Sequence, residues 1–155
     1  MPRLEFVLEL DAPLEAVWQF HNNIETLFVL TPPHTKARLV GEARPMAVGV
    51  VFRLKMRRMG VPLPIWDAEI VEFTPPYGFV DRQVSGRGPF RAWRHEHRFE
   101  AISGDRTRIR DTIVYELPFG VFGRIADRLF LRRDLEQLFA FRHKKTRELL
   151  TASSV

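Results

Sequence analysis

Hydrophobic and polar residues alternate most strictly in the stretch that follows the Gly88-Pro89 turn. One face of this stretch carries Arg91, Trp93, His95, His97 and Phe99, and the other carries Ala92, Arg94, Glu96 and Arg98. Successive side chains of a strand point to opposite sides, so the pattern predicts a β-strand with one dry and one wet face. Two histidines on the dry face are typical of a lined cavity, which indicates a protein that acts as a container.

Alternation and turn signals elsewhere predict six further strands, and helical spacing predicts three helices. The six strands are expected near residues 4–10, 36–40, 49–57, 65–73, 78–85 and 106–117. Two short helices follow the first strand, with Asp11 as the cap of one and a capping box of Asn22 and Glu25 on the other. A last, long amphipathic helix is predicted to end near Leu150, with a frayed tail at 152–155. Its apolar stripe is expected at Phe122, Ile125, Ala126, Leu129, Leu135, Leu138 and Phe139.

This order of elements predicts an α+β fold. A seven-stranded, curved antiparallel sheet would wrap around the long C-terminal helix, which covers its apolar face. With 155 residues, the chain is expected to form a single domain, 1–155. A curved sheet around one helix leaves space between the two, and function is expected in that cavity.

The composition of the chain indicates where the protein is located and which partners it binds. The chain has no cysteine and a net charge of +5, and it contains no apolar run near the roughly 20 residues that span a bilayer. These features favour a cytoplasmic protein without a transmembrane segment. Nucleic-acid binding is not expected, because no exposed aromatic stripe accompanies the arginines. The arginine-rich final helix leaves a weak peripheral membrane contact open, and the sequence leaves the oligomeric state open.

Five motifs give the chain a resemblance along nearly its whole length. They are Ala12-Pro13-x-x-x-Val17-Trp18, Leu30-Thr-Pro-Pro33, Phe79-x-Asp81-x-Gln83, Gly88-Pro-Phe-x-x-Trp93-x-His95-x-His97-x-Phe99, and Tyr115-Glu-Leu-Pro-Phe-Gly120. With them the chain resembles the START-like (SRPBCC) superfamily and its polyketide cyclase/dehydrase-like bacterial branch. The resemblance implies a helix-grip fold and ligand binding in a hydrophobic cavity. It does not imply one activity, because only some members catalyse reactions.

Strand parity predicts which side chains share the inner face. Suitable hairpin registers would set Asp81 opposite His95 and His97 opposite Asp111, at distances that allow hydrogen bonds. A polar belt would then lie in an apolar pocket. The predicted belt is Asp81, Gln83, His95, His97, Asp111 and Tyr115, and the predicted walls are Phe52, Trp66 and Trp93.

The belt has four possible interpretations. Its groups could satisfy one another inside a filled core, form the polar end of a ligand pocket, perform acid–base catalysis, or bind a metal through His95 and His97. No metal and no cofactor are expected, since a third histidine at suitable spacing is missing. His21, His34 and His143 are predicted to be surface residues, and no catalytic residue is assigned.

The sequence therefore favours a protein that binds a small hydrophobic or amphipathic molecule between the sheet and the C-terminal helix. One alternative is a cyclase/dehydrase-type enzyme that uses an Asp–His pair or Tyr115. The other is an interaction module that assists an epimerase-like partner.

Overall fold

A computed structural model describes residues 1–152 of the chain, so most of the predicted frayed tail lies outside the described residues. The strands are β1 (Arg3–Leu10), β2 (Thr35–Val40), β3 (Val51–Arg58), β4 (Val61–Pro62), β5 (Trp66–Thr74), β6 (Gly78–Gln83), β7 (Ala92–Ser103) and β8 (Arg106–Glu116). The helices are α1 (Leu14–His21), α2 (Ile24–Val29), α3 (Gly120–Ala126) and α4 (Arg132–Ala152), and a π-helical turn (Asp127–Leu131) joins the last two. None of these helices is long and apolar enough to cross a membrane.

The strands form one antiparallel sheet in the order β1-β8-β7-β6-β5-β3-β2, and the two-residue β4 pairs with β3. The α+β helix-grip architecture predicted from the sequence is confirmed. The short β4 is the one strand of the described residues that was not predicted, and it lies between the strands predicted at 49–57 and 65–73.

Close backbone packing fixes how β6 pairs with β7. Gly78 has a φ of 145°, and a Cβ at this position would collide with the backbone carbonyl of His97. Only glycine lets the two backbones come this close. The resulting register pairs Gly78 with Arg98 and Asp81 with His95, so this glycine helps to place the polar residues of the inner face.

The helix caps differ from the predicted ones by one or two residues. Pro13 is the N-cap of α1, without a side-chain hydrogen bond, so the prediction that Asp11 caps this helix was wrong. Asn23, rather than Asn22, caps α2 by accepting a hydrogen bond of 2.9 Å from the backbone N–H of Glu25. Both candidates precede an apolar periodic stretch, and the local sequence signal does not distinguish adjacent polar residues.

The π-helical turn divides the C-terminal helix into two halves whose apolar faces point in different directions. A π turn takes in one more residue than an α turn, so the helix faces before and after it are out of phase. After the turn, Leu135 and Phe139 are buried as predicted, whereas Phe122 and Ile125 before it and Leu129 within it are exposed. The predicted continuous apolar stripe was therefore wrong for the first half of the helix.

Two apolar clusters hold the sheet and the helices together. One joins α1 and α2 to the sheet around Val17, Trp18 and Phe99. The other joins α4 to β1, β7 and β8 around Ile113, Tyr115 and Phe139. Within the second cluster Phe6 and Phe139 stack with ring centroids 4.6 Å apart. Together the two clusters position α4 across the sheet.

Candidate functional site

Two histidines and two aspartates meet on the inner face of the sheet. Both predicted pairings are confirmed, because Asp81 lies opposite His95 and His97 lies opposite Asp111. The shortest contacts, however, run diagonally. His95 Nε2 lies 2.9 Å from Asp111 Oδ1, and His97 Nε2 lies 2.9 Å from Asp81 Oδ2. The two imidazole centroids are 3.6 Å apart, so the four groups form one contiguous cluster.

The helices add residues that the sequence reasoning missed. His143 of α4 lies with Nε2 2.9 Å from Asp111 Oδ2, so this carboxylate ties the helix to the sheet. His21 of α1 is partly buried and bonds the carbonyl of Val17 through Nδ1 at 2.8 Å. The prediction that both histidines are surface residues was wrong, whereas His34 is exposed as predicted. His21 and His143 face inward because their helices dock on the sheet, and strand parity cannot predict how a helix docks.

Both aspartates of the cluster are held as carboxylates. Burial raises their pKa, but hydrogen bonds from the imidazoles outweigh burial and leave both pKa values below the ordinary one. For Asp111, the bonds from His143, His95 and His97 place the pKa well below its ordinary value. For Asp81, the bond from His97 and the charge of Arg142 act in the same direction.

The pKa values of the buried histidines move in opposite directions. Burial lowers the pKa of His21 from 6.5 to about 4. Burial and the neighbouring His97 also lower the pKa of His95. His97 differs, because its bonds to Asp111 and Asp81 outweigh burial and raise its pKa. Its Nδ1 lies 3.4 Å from Asp111 Oδ1, so both ring nitrogens face carboxylates and an imidazolium fits between them.

A cavity of about 640 Å³ lies between the sheet and α4, and its lining is mostly apolar. Of the predicted site residues, the lining includes Phe52, Trp66, Asp81, Trp93, His95 and His97. Asp111, Gln83 and Tyr115 are buried but do not line it. His21 and Arg142 line it without having been predicted.

Gln83 and Tyr115 form hydrogen bonds within the protein that stabilise the fold. Gln83 donates to the carbonyl of Phe90 at 2.6 Å and accepts from its N–H at 3.1 Å, which pins the loop before β7. Tyr115 donates its hydroxyl hydrogen bond to Asp127 of the π turn. Burial, followed by this bond, raises the pKa of Tyr115. Both side chains therefore support the cavity from outside its lining.

Two buried donors of the cavity wall have no hydrogen-bond partner within residues 1–152. They are Nε of Arg142 and Nε1 of Trp66. The Arg142 guanidinium lies 5.1 Å from the ring centroid of Phe139. Trp66 packs against Trp93 with ring centroids 5.2 Å apart. Buried N–H groups are rarely left unpaired, so both donors call for an acceptor from outside the chain.

One group of residues could hold a metal ion. Asp81, His95 and His97 each offer one ligand atom, and these atoms lie within 4.8 Å of one another. A cation there would have to displace a proton shared by His97 and Asp81. It would also face the positive charge of Arg142, which acts on both Asp81 and Asp111. The charge of the surroundings therefore opposes a metal at this position.

The sheet that grips a C-terminal helix, with a lined cavity between them, is the helix-grip architecture, and several solved structures share it. Zhui aromatase/cyclase from a Streptomyces species has a similar structure, with 17% identity, a TM-score of 0.67 and 97% of each chain covered. Norcoclaurine synthase from Thalictrum flavum has 14% identity and a TM-score of 0.72, with 99% of this chain and 96% of that chain covered. A nucleoside-diphosphate sugar epimerase from Corynebacterium glutamicum has 23% identity and a TM-score of 0.68, and the match covers 94% of this chain but 28% of the epimerase.

The chain belongs to the family described as domain of unknown function DUF8410, whose model matches residues 8–150. No curated protein matches the sequence significantly. The similar structures establish the helix-grip fold, so the predicted resemblance to START-like proteins is confirmed at the level of the fold. Their identities to this chain are too low to carry over an activity or a ligand.

Proposed function

We propose that this protein binds a small amphipathic molecule in the cavity, with its apolar part against the aromatic walls and a polar end facing Arg142. The observation that carries this proposal is the pair of unpaired N–H donors in a mostly apolar lining. A ligand that offers acceptor oxygens, such as a carboxylate, a carbonyl or a phenol, would satisfy both donors.

The size and the polarity of the cavity agree with this proposal. A volume of about 640 Å³ lies in the range of roughly 300–1,000 Å³ that is usual for small-molecule sites. Apolar contact would supply most of the affinity, at about 25 cal/mol per Å² before ordering costs. The imidazole and guanidinium groups would set the orientation of the ligand. The absence of cysteine suits a cytoplasmic location, which we also propose.

The guanidinium of Arg142 makes no hydrogen bond and no ion pair within 4 Å among residues 1–152, and burial lowers its pKa. Asp81 and Asp111 act on it only at longer range, because their carboxylates are bonded to histidines. Its guanidinium is therefore free to bond a ligand oxygen. A hydrogen bond that involves a charged group contributes about 1.5–3 kcal/mol, or about ten- to a hundredfold in affinity.

The first test is native mass spectrometry of the purified protein, followed by extraction and mass analysis of small molecules. The proposal expects a stoichiometric organic adduct that contains oxygen.

Two fluorescent probes then test the polar end of the cavity, because 1-anilinonaphthalene-8-sulfonate differs from N-phenyl-1-naphthylamine only by its sulfonate. Arg142→Gln should weaken binding of the sulfonate probe about tenfold or more and change binding of the neutral probe little.

Arg147→Gln is the matched control, because Arg147 is exposed on the same helix and bonds the carbonyl of Glu9. It should leave both probes unaffected. If neither probe enters the cavity and no adduct is found, the binding proposal fails. If both probes bind Arg142→Gln as they bind the wild type, the binding site stands and the role of Arg142 fails.

A cyclase/dehydrase-type enzyme is the second candidate, and the His95–Asp111 pair supports it. Asp111 holds His95 through Nε2, which leaves Nδ1 of a cavity-lining imidazole 3.9 Å from Asp81 Oδ2. Such a pair can position a proton-transfer group. If the extracted ligand is converted by the wild type and not by folded His95→Gln, the enzyme interpretation holds. The open cavity favours both of these functions over an interaction module with a collapsed pocket.

A further inference from the structure

The start of the C-terminal helix exposes a large apolar surface. We call it the helix-start surface, and it consists of Phe119, Val121, Phe122, Ile125, Leu129 and Phe130. Every one of these side chains is at least half exposed, and Phe119 and Phe122 reach 81% and 76%. Soluble monomers rarely expose large apolar side chains in such a contiguous group, and larger apolar patches mark interaction sites.

The residues that this segment buries show that its apolar side is turned away from the protein. Among Gly120–Leu131, the buried positions are Gly123 and Asp127, which are a glycine and an acid. A Cβ at Gly123 would collide with the carbonyl of Pro118, and Asp127 accepts the hydrogen bond of Tyr115. The helix is thus held by a small residue and a polar residue, while its apolar side chains face outward.

The backbone of Phe119 is a second, independent indication that the helix-start surface is an interaction site. It adopts a φ of 72°, a left-handed conformation in which a bulky residue is a conformational outlier. Its ring is 81% exposed, so packing within the fold does not explain why a phenylalanine occupies this position. Strained residues of this kind cluster at functional sites.

The charges on the same segment are positive and unpaired. Arg124, Arg128, Arg132 and Arg133 are exposed, and none forms an ion pair within 4 Å in the described part of the chain. Of the neighbouring carboxylates, Asp127 is bonded to Tyr115 and Asp134 is paired with Arg58, which leaves Glu136 exposed and without an ion pair within residues 1–152. The helix-start surface therefore combines exposed aromatic rings with four arginines and an excess of positive charge.

A second apolar segment lies nearby, at the β3–β4 hairpin. Met59, Val61 and Ile65 are exposed there, and Arg58, directly before the hairpin turn, forms an ion pair with Asp134 at the start of α4. Both segments adjoin the cavity, because Leu63 of the hairpin and Leu131 of the π turn belong to its lining. The apolar surface and the cavity thus share one border.

We propose that the helix-start surface and the hairpin dock on a bilayer of anionic lipids. Aromatic and aliphatic side chains enter the boundary between headgroups and acyl chains, while the arginines bind the anionic headgroups. A second copy of this chain fits the surface less well. Two such surfaces face to face would oppose four arginines on each side, and Glu136 is the one exposed carboxylate within residues 119–136 that could offset them.

The experiment is co-sedimentation of the purified protein with two kinds of vesicle. One consists of phosphatidylcholine alone and the other of phosphatidylcholine mixed with phosphatidylglycerol. The wild type should bind the anionic vesicles and release them as salt is raised. Phe122→Asp and Phe130→Asp should each lower this binding about tenfold or more. Arg124→Gln and Arg128→Gln should each lower it about fivefold.

Val48→Asp is the matched control, because Val48 is 64% exposed and precedes β3 at the end opposite the hairpin. It should bind vesicles as the wild type does. None of the four test residues lines the cavity, so their effect does not depend on the proposed ligand. The proposal is overturned if the wild type ignores anionic vesicles, or if the aspartate variants, folded by circular dichroism, still bind them. It is equally overturned if the wild type is a dimer in solution that these variants separate.

Discussion

At the scale of single residues, the two histidines of β7 show how position relative to carboxylates sets charge. His97 has a carboxylate oxygen 2.9 Å from one ring nitrogen and 3.4 Å from the other. His95 has one such partner at 2.9 Å, and its other nitrogen is 3.9 Å from Asp81. The pKa of His97 is raised and that of His95 is lowered. The pKa values of two adjacent imidazoles on one strand face therefore move in opposite directions.

A pH titration of the histidine signals by NMR tests the expected order of their pKa values. His97 should become deprotonated at a pH above 6.5 and His21 near pH 4, because carboxylates surround the first and burial dominates the second. Spectra of His97→Gln and His21→Gln assign the two signals. A signal of His97 that titrates at lower pH than that of His95 would contradict the proposed charge distribution.

Asp111→Asn tests the carboxylate that three histidines share. Removing one partner of a buried charged network costs about 3–5 kcal/mol, so the free energy of unfolding at pH 7 should fall by about that amount. The pKa of Asp111 is lowered in the folded state, so its stabilisation is present above the unfolded pKa of about 3.9 and is lost as the pH falls further. The difference between the variant and the wild type should therefore shrink in acid.

Urea titration at several pH values measures both effects. Asp105→Asn serves as the surface comparison, because Asp105 is exposed and should stay within about 0.5 kcal/mol of the wild type. An Asp111→Asn variant as stable as that comparison would show that the cluster does not hold α4 to the sheet.

At the scale of elements, strand parity predicts the sheet part of the site and misses the helix part. The alternation around His95 and His97, with short hairpin turns, is enough to place Asp81 and Asp111 opposite them. His143 and Arg142 reach the same cluster because α4, which follows the π turn, docks on the sheet. A prediction from helical periodicity assumes a constant twist along the helix. It therefore cannot show that one π turn shifts the apolar face.

Tyr115→Phe tests the link between β8 and the π turn. It removes the hydroxyl that donates to the buried carboxylate of Asp127, and an unsatisfied buried acceptor costs about 1–3 kcal/mol, more when it is charged. Asp127→Asn keeps an acceptor oxygen for the tyrosine and should cost less. Chemical denaturation of both variants compares them. An equal loss would mean that the carboxylate charge, rather than the hydrogen bond, matters here.

At the scale of the whole molecule, the sheet and α4 enclose a space that the side chains leave open. Phe139 packs on Phe6 and on His95, with ring centroids 5.3 Å apart in the second pair. Phe52 lies on the opposite side of the cavity, across from α4 on β3. The sequence predicted Phe52, with Trp66 and Trp93, as walls of this space, and all three line it. It could not predict that the space between them stays open, because side-chain volumes alone do not fix how far a helix lies from a curved sheet.

Ala68→Phe is expected to fill part of this space. Ala68 of β5 lines the cavity, so a larger apolar side chain can occupy the volume that a ligand would take. Binding of N-phenyl-1-naphthylamine should fall about tenfold or more, while the melting temperature stays near that of the wild type. Ala140→Phe places the same ring on the exposed side of α4 and should leave probe binding intact. Loss of binding in both variants would mean that the probe does not enter the cavity.

The π turn also separates two regions that can change independently in evolution. An α-helix rotates by about 100° for each residue, so one inserted or deleted residue after the turn would swing Arg142 and His143 away from Asp111. The same event within the turn would leave the bond of His143 to Asp111 in place and change only the direction of the aromatic segment before it. Homologous chains can therefore vary in length at 127–131 and acquire a different outer surface while they keep the same cavity.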